Sequence, residues 1–182
     1  MLNRRILRIK AFKVLYGSVM SDAVTLAQAE AQLDISCEAT RDLYLYMLSI
    51  VSPLTQIARD RIEAAKSKFN PTEEERNPNM KFAENSLAAL LDQDVDFQKI
   101  IAKKKYSWGQ YDLLLKKVMT SVASKPYYAE YMASPERSLA EDCKLFTRIF
   151  EEEFVDSEEL EMILEEKSLH WNDDLAYALT WC

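Results

Sequence analysis

Glycine is almost missing from this chain, with two residues in 182, and prolines number only five. So little turn chemistry excludes most sheet-rich and loop-rich architectures, which need these residues at their corners. A single histidine, His170, rules out a histidine-rich metal site, and the Glu-x-x-His pair of di-iron bundles is missing too. Cys37, Cys143 and Cys182 are odd in number, widely spaced and without a C-x-x-C pattern, which reads as reduced, structural thiols. No apolar run approaches the roughly 18 residues that a membrane span needs. Charges throughout the first twenty residues leave no signal-peptide core. A cytoplasmic protein, not a membrane one, is expected. There is no phosphate-binding G-x-x-x-x-G-K-[ST], no G-x-S-x-G and no supported Cys–His pair. Neither catalysis nor a cofactor is expected.

What is present suits helices. The hydrophobic share is 48%, ordinary for a globular chain and too high for disorder. The net charge of −7, with a pI near 4.9, argues against indiscriminate nucleic-acid binding. Distribution matters more than the sum. Arg4, Arg5, Arg8, Lys10 and Lys13 crowd the start, with no acid before Asp22, while Glu151–Glu153 and Glu158–Glu166 make an acidic rear. Such acidic runs are commonly solvated helix surface, or a face for a basic partner.

The stretch Asn3–Met20 organises the rest. At 3.6 residues per turn, Leu7, Ala11, Val14 and Leu15 share one face, and Phe12, Tyr16 and Val19 a second. A helix apolar on two faces is normally enclosed, so the expectation is a central first helix, with Lys10 and Lys13 on a narrow polar strip. Asn3 is its predicted N-cap. Three arginines at the positive pole of a helix cost about 0.3–1 kcal/mol each when exposed. They are either simply solvated or a phosphate-binding tip, since the planar Arg fork matches phosphate oxygens.

Arg4-Arg5, then Arg8, then Val14-Leu15-Tyr16 on one helix resembles the start of bacterial transcription antitermination proteins of the NusB type. Asp42, Tyr46 and Ile50-Val51, followed by Leu54, Ile57 and Ile62, are similar to that family's second block. The resemblance covers residues 4 to 62. It departs at Lys13, where the family usually has Gln, and lacks the family's carboxyl-terminal bundle with its Phe-Val/Ile-Asn-Gly-like end. The chain resembles the front of a longer member, cut before that half, and the apolar residues up to Trp181-Cys182 suggest the same. The resemblance implies binding of single-stranded RNA together with a NusE-type small-subunit ribosomal protein, for loading onto RNA polymerase. Arg4, Arg5 and Arg8, flanked by Lys10 and Lys13, are the expected RNA contacts, as phosphate binders that position rather than read the sequence. The rival expectation is an all-α protein–protein adapter without RNA binding, using the acidic rear and the tyrosine-rich segment.

Along the chain, Ser21-Asp22 reads as a turn and cap, Leu26–Leu33 as a short second helix, and Ser36 as the cap of a third. Ser52-Pro53 predicts a kink or break. Asn70–Asn79, with two Asn-Pro steps, reads as a linker dividing family-like helices at 1–69 from a further helical region at 70–182. Helices are predicted at 79–92, 95–105 and 108–123, and from Pro126, Ser134-Pro135, Ser157 and Asn172 or Asp173. Lys103-Lys104-Lys105-Tyr106-Ser107-Trp108 could stack on bases or anchor helices, and Tyr127, Tyr128 and Tyr131 could form a patch or pack inside. The fold class is an all-α, multi-helix bundle.

Overall fold

The computed structural model describes residues 2–20 and 24–182; it is all helical, with no strand among those residues. The Ser21-Asp22 turn lies outside the described residues. None of the described helices is long and apolar enough to cross a membrane.

Two compact units emerge, one from Met1–Tyr44 with Glu161–Trp181 and the other from Leu45–Leu160 with Cys182. This division differs from the predicted boundary at residue 70. The Asn-Pro segment contains a short helix, α4 (Glu73–Arg76), closed by a reciprocal capping box between Thr72 and Glu75. It packs against α3 (Val51–Lys66) instead of running free.

In the first unit, α1 spans Arg4–Met20 and α2 spans Leu26–Leu48, whose last turn passes into the second unit. Thr25 and Gln28 start α2 with mutual side-chain-to-backbone bonds of 2.8 and 3.3 Å. The predicted break before Ser36 does not occur. Ser36 is buried inside α2, where its hydroxyl meets a lysine and caps nothing. Helix α10 (Glu158–Lys167) enters this unit at Glu161 and is followed by a 3₁₀ turn at Asn172–Asp174 and α11 (Leu175–Leu179). Leu43, Leu164, Trp171, Leu175, Ala178 and Leu179 are buried here. In α11, Ala178 and Leu179 are covered while Ala176 is exposed.

The second unit holds α3, then α5 (Ser86–Gln93), α6 (Val95–Lys104), α7 (Asp112–Ser124), α8 (Pro126–Ala133) and α9 (Leu139–Ile149). The chain breaks after Leu48, and Pro53 falls in the first turn of α3, where its missing N–H has no intrahelical partner to lose. Helix α3 packs on α5 and α7, and α9 packs on α5 and α8. Phe82, Phe146, Phe150 and Phe154 form the aromatic centre, with successive ring centroids 5.8, 6.4 and 5.8 Å apart. Phe150–Phe154 is a single π turn, which carries this row on past the end of α9. Helix α9 begins at the cap Ser138, whose hydroxyl accepts from Glu141 N–H, four residues after the predicted start at Ser134.

Candidate nucleic-acid interface

Helix α1 is not central. Its one buried residue is Lys10, and no closely packed helix runs along it among the described residues. Phe12 is 68% exposed, and Leu15, Tyr16 and Val19 are exposed as well. Periodicity placed Phe12, Tyr16 and Val19 on one face correctly, but that face looks to solvent. The reason lies on the opposite side. Lys10 Nζ lies 2.5 Å from Asp174 Oδ2 and donates to Ser36 Oγ at 3.1 Å, while Thr40 Oγ1 donates to the same carboxylate oxygen at 2.6 Å. A buried ammonium needs such an acceptor set, and this rotation of α1 supplies it. Lys10 therefore leaves the predicted RNA-contact set, because its charge is enclosed and already satisfied.

The outward side reads Arg5, Arg8, Phe12, Tyr16, Val19, at steps of three and four residues. Arg4 lies at its edge. Arg4, Arg5 and Arg8 are all exposed and make no ion pair with a described residue, in a chain with an excess of acids. Further along, the rings of Phe12 and Tyr16 stack with centroids 6.2 Å apart. The helix start is fixed from both sides. Asn3 Oδ1 accepts from Ile6 N–H at 2.9 Å, as its N-cap role requires, and Asn3 N–H donates to the Tyr177 hydroxyl at 2.9 Å. The arginines thus project from an anchored turn.

Lys13 is exposed but engaged, with its Nζ 2.5 Å from Asp173 Oδ2. Exposed pairs of this kind are worth only about 0–1 kcal/mol, so Lys13 can exchange Asp173 for another anion at little cost.

Of the other basic residues, Lys103 and Lys105 are exposed at the end of α6, whereas Lys116 and Lys117 are engaged in ion pairs. Lys116 pairs with Asp112 at 2.6 Å and Lys117 with Glu159 at 2.8 Å. Trp108 is buried against Tyr46, with centroids 4.3 Å apart, and its indole N–H donates to Ser49 Oγ at 3.0 Å, so it is an anchor between helices. Lys105 closes α6 in the left-handed conformation, at φ 56°. The tyrosine-rich helix α8 is structural as well. Tyr131 is buried and donates to Asp142 at 2.6 Å, and Tyr128 meets Phe82 edge-on at 5.4 Å. Burial pushes the Tyr128 hydroxyl up to about 12, in keeping with a packed ring. His170 is exposed and its backbone N–H donates to Ser168 Oγ. The three cysteines are unbridged.

No known family, no curated protein and no solved structure matches the chain.

Proposed function

We propose that the chain is a transcription antitermination factor of the NusB type, which binds single-stranded RNA through Arg4, Arg5 and Arg8, with Lys13 as an exchangeable fourth contact. The observation that supports this reading is the set of three exposed arginines, without an ion pair to any described residue, on the first two turns of an anchored helix, in a chain of net charge −7. Guanidinium groups side by side repel one another and remain free for an anion of matching spacing, which a phosphate backbone offers. The same resemblance suggests a NusE-type ribosomal protein and the RNA polymerase complex as partners, in a bacterial cytoplasm.

Counterion release sets the test. Three to four phosphate contacts on single-stranded RNA give a log–log salt slope of about −2 to −3. Replacing Arg4, Arg5 and Arg8 together by Ala should flatten that slope by about 2 and weaken all sequences alike. The exposed stripe Phe12, Leu15, Tyr16 and Val19 favours a second reading, a protein–protein adapter without RNA binding. Equal affinity and equal slope for wild type and triple variant would leave the adapter in front.

A further inference from the structure

Within the first unit, beside the arginine tip, lies a cavity of about 610 Å³ lined by Leu2, Cys37, Glu38, Arg41, Tyr44 and Trp181. Cys37, Arg41 and Tyr44 fall on one side of α2 by their spacing, with Glu38 at its margin. Trp181 supplies a second ring, 5.8 Å from Tyr44 at 68°, and is itself held edge-on by Tyr177 at 5.0 Å. The Tyr177 hydroxyl accepts from Asn3 N–H, so the ring that holds Trp181 is tied by one hydrogen bond to the root of the arginine tip. Arg4 is the next residue.

We infer that this cavity takes one unstacked base of the single-stranded RNA whose phosphates the arginine tip holds. This rests on the RNA-binding reading above. Two aromatic rings beside a slot offer the π surfaces on which a splayed base stacks. Arg41 and Glu38 are both exposed at the cavity and make no ion pair with a described residue. Together they present a fork of donors and a pair of acceptors, the combination that a base edge, with its own N–H donors and carbonyl or ring-nitrogen acceptors, can satisfy. The volume lies in the range of pockets for small organic ligands, roughly 300–1,000 Å³. The guanidinium groups of Arg4 and Arg5 stand on the helix that begins at the cavity wall, where the sugar–phosphate chain of an inserted nucleotide must pass. The arrangement divides the work. The tip attracts the backbone, and the cavity holds a base.

The test compares two ligands of equal charge, a short fluorescein-labelled single-stranded oligoribonucleotide and the same backbone with every base removed. Wild-type protein should bind the base-bearing strand about tenfold more tightly, the usual worth of one stacked base. Of the three tryptophans, Trp108 and Trp171 are buried and Trp181 is half-buried at the cavity, so intrinsic fluorescence should be quenched by the base-bearing strand and not by the abasic one. Trp181→Leu and, separately, Arg41→Ala should remove most of the tenfold difference. The Arg4/Arg5/Arg8→Ala variant should weaken both ligands equally. Equal binding of the two ligands by wild type, with the triple variant still weaker, would overturn the base pocket and leave the arginine tip standing. No binding of either ligand would overturn both.

Discussion

Lys10 Nζ and Asp174 Oδ2 stand 2.5 Å apart, buried, and separated by 164 residues of chain. The pair fixes which side of α1 faces inward, and therefore which side shows Arg5, Arg8, Phe12 and Tyr16 to solvent. Removing one partner of a buried ion pair leaves the other uncompensated, at a cost of about 3–5 kcal/mol. Asp174→Ala should lose that much in denaturant titration. Joint replacement by Lys10→Met and Asp174→Leu should recover most of it, because no buried charge then remains. A double variant no more stable than Asp174→Ala would remove this pair from its role in orienting α1.

Phe12 and Phe146 are the same residue type in opposite settings. Phe146 is fully buried in the aromatic row, and Phe12 is 68% exposed. Phe146→Ala should therefore cost roughly 3–5 kcal/mol, and Phe12→Ala less than about 0.5 kcal/mol. Thermal and urea unfolding of the two variants side by side measure the contrast. A large loss at Phe12 would place a partner on the outer face of α1.

Acid should loosen the second unit through Glu141. Its carboxylate lies 2.7 Å from the buried Lys81 ammonium, and the hydrogen bonds from Lys81 and then Ser134 hold its pKa below the ordinary 4.5. A carboxyl group depressed on folding adds stability above the unfolded pKa and loses it as the pH falls through the folded one. Wild-type stability should accordingly drop from about pH 5 downward more steeply than that of Glu141→Gln, measured by urea unfolding at stepped pH. Parallel pH profiles would show that Lys81 does not hold Glu141 in its charged form.

The helical class was legible because glycine and proline are scarce and apolar residues recur at three and four positions, both local signals. Most helix starts were legible for the same reason, and Ser138-x-x-Glu141 is a readable start signature for α9. The burial of Lys10 was not legible. Its partners are Ser36, Thr40 and Asp174, and nothing local distinguishes a lysine that will find a distant carboxylate from one that stays wet. Ser36 misled in the same way, since a serine that caps and a serine that receives a buried ammonium look alike in sequence. Periodicity groups Phe12, Tyr16 and Val19 on one face of α1, but whether a second helix covers that face is a tertiary fact. In the candidate site, the charge of Arg4, Arg5 and Arg8 was visible at once. The cavity was not, because its rings come from positions 44 and 181, far apart in the chain.

The engagement of Lys13 by Asp173 yields the last prediction. Both side chains are more than half exposed, so the pair adds little to stability, yet it lowers the positive charge along α1 by one. Asp173→Asn removes the carboxylate while keeping the shape of the side chain. If Lys13 lies within reach of the RNA held by the arginines, its freed ammonium should take up one further phosphate, and the salt slope should steepen by about 0.7. Affinity should rise most at low salt, where screening is weakest. Asp173→Asn combined with Lys13→Ala should return the slope to that of Lys13→Ala alone, because the ammonium that gained the contact is gone. The unfolding midpoint of Asp173→Asn should stay close to wild type, which separates a change at the interface from a change in the fold. A slope unaltered by Asp173→Asn would put Lys13 outside the interface and confine the contact to Arg4, Arg5 and Arg8.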